Sequence, residues 1–416
     1  MCEKKILLIS YYYPPSNCVA ALRPNSFAEY LSNFYEIKVL TRQWDGNEKQ
    51  WDDYLKSNLS QKTIIQQKNN LEITSIPYKD ARKKNNKLRT FLGLLKGKLD
   101  YDYDCEQLKP AAFDIIDRWS PDLVLVSLPP NNLINLAYSI YKKYKIPFIV
   151  DFRDFENEVL LYNQPISLKT KLIHYFTIKT VLRKTKKSTL ITSINKVFSD
   201  FFIQNGLSNT KVIYNGFEKY LFKNFNRNFK NSTFNVSIIG TLYPQQNIEI
   251  MLDGIVLFNQ KKYKNVIFNF IGTNSIEKIG LRIENKLSVY NNINLTKRIE
   301  RKKALEITEK SHVLWHVGWK NAKGVFSGKI FEYLGAKRNI LIAPSDEDVI
   351  ENLLIETNAG EIANTPEEVC AYLERKYSEW ESKGILDYHG IDEKIDFYSR
   401  ENQASILQQE IEKIIQ

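Results

Sequence analysis

Residues 311–344 read SHVLWHVGWKNAKGVFSGKIFEYLGAKRNILIAP. The run at 312–317 is a strand, 328–337 is an amphipathic helix, and 339–343 is a second strand. A strand, a helix and a strand in succession imply parallel pairing with a crossover. The same order extends outward in both directions. Toward the N-terminus lie strands at 234–240 (FNVSIIG) and 265–272 (NVIFNFIG), with helices at 249–260 and 301–310; toward the C-terminus a helix covers 366–380. Further upstream the alternation repeats with strands at 5–10 (KILLIS), 36–41, 122–127, 147–152, 189–192 and 211–214. Helices at 24–33, 107–119 and 132–144 separate them. Two α/β domains with parallel sheets follow. The Asn-rich stretch 224–232 is the expected interdomain linker, and an acidic helix begins near residue 396. The insert 44–98 has weak periodicity, and its elements are not assigned.

Composition agrees with a packed, two-domain chain. The 416 residues are 43% hydrophobic and 26% charged, which excludes a disordered, collagenous or disulfide-stapled protein. Cys2, Cys18, Cys105 and Cys370 are scattered without metal-ligand spacing, which fits a reducing cytosol and encodes no zinc site. The N-terminus offers only five apolar or small residues before Tyr11, and no apolar run is long enough to span a bilayer, so the expectation is a soluble, non-secreted protein.

The net charge of +11 is unevenly spread. Residues 344–416 hold 6 Lys/Arg against 18 Asp/Glu, so the excess of positive charge lies upstream. Two blocks are strongly basic: 78–98, and 167–187 with seven basic residues and no acid. Both mix cations with Leu, Ile, Phe and Tyr. That composition suits an anionic membrane surface better than a nucleic-acid groove, and no nucleic-acid-binding motif is present. Solvated helix faces are the plainer alternative.

Several familiar chemistries are excluded. No GxGxxG follows a strand, and HExxH and GxSxG are absent. Gly324–Lys329 approaches a P-loop but has three spacer residues and no following Ser/Thr. His312 and His316 fall in a strand, where a spacing of four does not bring two rings to one metal. One buried and one edge histidine is the expectation. The chemistry-bearing positions are strand ends, where ligands of doubly wound sheets bind. At 327–332, Gly328 lets backbone approach an anion, the helix amides favour phosphate, and Lys329 adds charge. Glu332, one turn on, can accept two ribose hydroxyls.

The segments ILLISYYYPPS…ALRP, PDLVLVSLPPN, IPFIVDFRD, VIYNGFE, GTLYP and SGKIFEYLGAKRNILIAP occur in that order. Together they resemble the retaining family-4 glycosyltransferases, particularly bacterial members that build cell-envelope polysaccharides. The similarity runs from Lys5 to the closing FYSRENQASIL. It implies the GT-B fold, with two Rossmann-like doubly wound domains facing a central cleft. Residues 1–220 would form the acceptor domain and 233–390 the nucleotide-sugar donor domain, with a helix at 391–416 packing back toward the first. By this resemblance Asn17, Gly240, Thr241, Ser327, Gly328, Lys329 and Glu332 bind the donor, and Arg23 and Asn131 the acceptor. Asp151, Arg153 and Asp154 would be catalytic. No cofactor or metal is implied, since the nucleotide-sugar is a substrate. The partners implied are that donor, a glycan or polyprenyl-diphosphate-linked acceptor and an anionic membrane, in a cytoplasmic protein peripheral on the inner face of the plasma membrane.

The chain departs from the family pattern at several places. Gly324 stands where the first motif glutamate is expected, and Asn17-Cys18 replaces the first-loop glycine pair. Asn131 and Asn132 stand where a histidine is common. Gln245, Gln246 and Asn247 replace the Arg and Lys that follow the GT segment. The missing acid at Gly324 and the missing loop glycines give weight to a second reading, a catalytically silent homologue acting as a binding subunit. A nucleotide-sugar epimerase or a phosphorylase on the same fold is a third.

Overall fold

The computed structural model describes residues 4–48, 53, 56–78, 105–154, 168–227, 229–320 and 322–416. The chain forms two compact units, Met1–Asn215 with Arg400–Gln416, and Gly216–Ser399. The basic residues at 79–98 lie outside the described residues.

In the first unit the strands are β1 (Lys5–Ser10), β2 (Glu36–Arg42), β3 (Ile64–Lys68), β4 (Leu71–Ile76), β5 (Leu123–Leu128), β6 (Phe148–Phe152), β7 (Leu190–Ser193) and β8 (Thr210–Val212). Among the described residues they make one sheet in the order β3-β4-β2-β1-β5-β6-β7-β8, parallel except for the β3–β4 hairpin. Strand β1 shows why its sequence is apolar throughout. Leu7 and Ile9 enter one core cluster, whereas Ile6 and Leu8 enter the other, so both faces are covered. The helix Leu22–Leu31 covers the second face together with Arg400–Ile415, whose Leu407 and Ile411 join the same cluster.

The unassigned insert supplies β3 and β4, which extend the sheet beyond β2. Strand β3 is an edge with four of five residues exposed, so it lacks the apolar signal of a buried strand. The insert also seats a buried cation. The Arg42 guanidinium lies 4.1 Å from the Trp44 ring and 3.8 Å from the Tyr78 ring, and it donates to Tyr11 Oη and the Ser57 carbonyl. Through these contacts the insert braces the tyrosines that follow β1.

In the second unit β9 (Phe234–Ile239), β10 (Val266–Ile271), β11 (Ile293–Leu295), β12 (Val313–His316), β13 (Asn339–Ile342) and β14 (Gly360–Ile362) form a parallel sheet. The order is β11-β10-β9-β12-β13-β14, the doubly wound arrangement with its reversal between β9 and β12. β11 and β14 have three residues each, too short to declare a period. The helices Glu277–Leu287 and Val349–Thr357 are likewise additions to the sequence reading.

The stretch 224–232, expected as a linker, belongs to this second unit. Arg338 Nη2 donates to the Asn226 carbonyl at 2.9 Å, and Trp380 Nε1 donates to that of Asn231 at 3.1 Å. Against the expectation of one edge histidine, His312 and His316 are both buried, because β12 is a central strand covered on each face.

Candidate functional site

The carboxyl ends of β9, β10 and β12 surround the reversal of strand order in the second unit. Ser327 precedes the helix Gly328–Ala336 and caps it, its Oγ accepting from the Lys329 amide at 3.3 Å. Lys329 extends to the end of β9, where its Nζ donates to the Thr241 carbonyl at 2.5 Å. Gly240 makes this approach feasible. It has φ +99°, and a Cβ there would stand 2.8 Å from Lys329 Cε. Gly240, Thr241, Ser327, Gly328 and Lys329 are thus brought to one place. Burial lowers the Lys329 pKa to about 8, so at neutral pH the ammonium is charged, with one of its three donors engaged by Thr241.

Tyr333 and His316 line the underside of this place. The Ile239 amide donates to Tyr333 Oη at 2.9 Å, which closes the end of β9. Burial and the nearby Lys329 charge lower the His316 pKa to about 3, so the imidazole is neutral. Gln246, one of the residues replacing the family's cations, is buried. Its Oε1 accepts from the Tyr243 amide at 2.9 Å and its Nε2 donates to the Val317 carbonyl at 3.1 Å. It ties the loops after β9 and β12 together.

Glu332 lies one turn beyond Gly328 and is half-buried, paired with Arg301 at 3.0 Å. Arg301 was missed by sequence reasoning because nothing in its spacing links it to residue 332. An aromatic such as Tyr333 reads simply as core.

The first unit treats its expected residues differently. Asp151 is 0% exposed and Arg23 3%. Arg23 Nη2 and Nε donate to Asp151 at 2.7 and 3.0 Å, and Arg23 Nη1 donates to the Tyr214 carbonyl at 2.7 Å. Ser127 Oγ at 3.1 Å and Thr192 Oγ1 at 2.6 Å complete the shell of the carboxylate. Asp151, expected as catalytic, and Arg23, expected on the acceptor side, stand here as a buried ion pair that joins β5, β6 and β7 to the helix Leu22–Leu31, with both carboxylate oxygens engaged. Ser127 and Thr192 were missed because only the register, Ser127 opposite Asp151 and Asp151 opposite Thr192, reveals them.

Arg153 is half-buried and Asp154 exposed, just past the end of β6. Arg153 Nη2 reaches the Pro129 carbonyl at 3.4 Å, and its guanidinium lies 5.9 Å from the Tyr12 ring. Asn131 is buried in the loop after β5. Asn17 is half-buried and held by the insert: its Nδ2 donates to the Glu48 carbonyl at 2.6 Å, and its amide donates to Glu48 Oε2 at 3.4 Å. Among the described residues no cluster of three metal-ligating side chains occurs.

No protein-family model matches the chain, and no curated protein matches it in sequence. Solved structures match along its whole length. The trehalose-6-phosphate protein of E. coli bound with UDP-2-fluoro glucose superposes with a TM-score of 0.63 at 13% identity over 99% of both chains. Anabaena HepE in complex with UDP gives 0.62 at 12% identity, over 98% of this chain and 100% of the other. Sucrose-phosphate synthase from Thermosynechococcus elongatus gives 0.62 at 10% identity over 99% of both. At such identity the likeness speaks for architecture: this chain has the α/β fold of the GT-B glycosyltransferases.

Proposed function

We propose that this chain is a glycosyltransferase. It takes a sugar from a nucleotide-sugar and passes it, with retention at the anomeric carbon, to a glycan or polyprenyl-diphosphate-linked acceptor in cell-envelope polysaccharide synthesis. The observation that carries the reading is the convergence of Lys329, Gly240 and a capped helix N-terminus at the strand-order reversal of the second unit. That is a site for a diphosphate. The solved structures that share the fold support a nucleotide-sugar donor, since HepE was solved with UDP and the E. coli protein with a UDP-sugar analogue. The family-4 assignment rests on the sequence resemblance.

In this reading Glu332 accepts the ribose hydroxyls and Lys329 takes the charge that develops on the leaving diphosphate. The bond from the anomeric carbon to the diphosphate oxygen breaks, and a bond to the acceptor oxygen forms on the same face. The acceptor proton passes to the departing diphosphate, so neither an enzyme nucleophile nor a metal is required. Arg153 and Asp154 act on the acceptor side. The basic helix Leu168–Thr185, with Leu172 47% and Tyr175 56% exposed, rests on an anionic inner membrane face. No helix among the described residues is long and apolar enough to cross a membrane.

A thermal-shift screen across nucleotide sugars, followed by a measurement of acceptor-dependent nucleoside diphosphate release, tests the proposal. Stabilisation by a nucleotide sugar and release only with acceptor is the expected result. Gly324, in place of an expected acid, favours the alternative of a silent binding subunit, which would bind the nucleotide sugar and release nothing.

A further inference from the structure

We infer that Asp348 is the sugar-recognising carboxylate of the donor site, suited to a neutral, hydroxyl-rich sugar and opposed to an acidic one. The inference rests on the transferase reading above. Asp348 occupies the N-cap position of the helix Val349–Thr357, where an aspartate ordinarily accepts from the first helical amides. Here it makes no such bond. Asp346 does the capping instead, accepting from the Ile350 amide at 2.9 Å, the Glu351 amide at 3.0 Å and the Asp348 amide at 3.3 Å. The Asp348 carboxylate is thereby released from its own helix. Its Oδ2 accepts the Gly324 amide at 2.6 Å, and its Oδ1 has no protein partner among the described residues.

The placement of Asp348 ties it to the Lys329 site. Gly324 lies three residues before Ser327, the cap of the helix that carries Lys329. The loops after β12 and β13 are joined by the Gly318 amide donating to the Pro344 carbonyl at 2.9 Å and by Lys323 Nζ donating to the Glu347 carbonyl at 3.3 Å. Asp348 is half-buried between them. A carboxylate fixed through one oxygen and open at the other accepts hydroxyl hydrogen bonds in a set direction. Its negative charge rejects a sugar that carries a carboxylate of its own. The acid missing from position 324 is thus supplied from the next strand's loop, against the amide of the glycine that replaced it.

The test is calorimetric titration of wild type, Asp348→Ala and Asp348→Asn with UDP, UDP-glucose and UDP-glucuronate, or with the same three ligands on whichever base the screen selects. UDP affinity should stay within about twofold in both variants. UDP-glucose affinity should fall about tenfold in Asp348→Ala, the usual size for a lost charge-assisted bond. Asp348→Asn should gain on UDP-glucuronate relative to UDP-glucose. Unchanged UDP-glucose affinity in Asp348→Ala overturns the inference and leaves the transferase reading standing. Equal loss of UDP and UDP-glucose also overturns it, since Asp348 would then only support the loop. A wild type that binds no nucleotide at all removes both readings.

Discussion

At the residue scale, burial decides what each polar group can do. Lys329 is the clearest case. Its pKa of about 8 lies below the ordinary lysine value, so desolvation disfavours the ammonium. The folded protein releases this proton at lower pH than the unfolded chain, and the residue's destabilising effect is relieved as pH rises from about 8 toward the unfolded value. The proposed diphosphate binding has the opposite sense, because it needs the proton. Nucleotide affinity measured by titration should hold below pH 8 and fall above it. Lys329→Met should abolish that slope and cost about 1.5–3 kcal/mol of binding at pH 7. A wild-type affinity that is flat to pH 10 would remove Lys329 from the site. In the first unit the contrast lies between neighbours on one strand end. Asp151→Ala should destabilise the protein by about 3–5 kcal/mol in chemical denaturation, because it strands Arg23 uncompensated in the core. Arg153→Ala and Asp154→Ala should instead fold normally and lose transfer. If Asp151→Ala folded with wild-type stability and lost only transfer, the buried-pair assignment would be wrong.

At the element scale, close approach sets the tolerances. The helices Glu249–Gln260 and Pro366–Lys383 touch at Gly254, where a Cβ would meet Val369 Cγ1 at 2.4 Å. Alanine there gains about 1 kcal/mol of helix propensity, but overpacking of this severity costs about 1–3 kcal/mol. Gly254→Ala should therefore be destabilised, and Gly254→Ala with Val369→Ala should recover part of the loss, as read from the denaturation midpoints of a double-mutant cycle. A stabilised Gly254→Ala would mean that the helix pair can separate freely. Register is the other decision taken at this scale. Ser237, Asn269 and Asn294 fall opposite one another on β9, β10 and β11, and Asn294 donates to Asn269 and Asn269 to Ser237. A shift of one residue would break this polar row, which is buried at Ser237 and Asn269 and ends at the exposed Asn294, so it acts as a register lock.

At the scale of the whole molecule, charge is the property that reaches furthest. The excess of cations upstream of residue 344, with the exposed Leu172 and Tyr175 on a basic helix, predicts reversible binding to anionic membranes. Each engaged cation contributes about 1 kcal/mol near such a surface. In vesicle flotation, recovery should rise with anionic lipid and fall with salt. Equal recovery on neutral and anionic vesicles would sink the idea. The sequence by itself determined the α/β class, the central strands and the capped helix start at 327–329. Strand alternation, cap chemistry and glycine placement are local, and a local pattern is read directly from neighbouring residues. Only the tertiary structure decided that Asp151 and Arg23 are a buried pair, that Glu332 meets Arg301, and that Asp348 faces Gly324. Each of those facts joins residues 24 to 128 positions apart. Parallel pairing and crossover bring such residues together, and no spacing along the chain encodes which strand becomes whose neighbour.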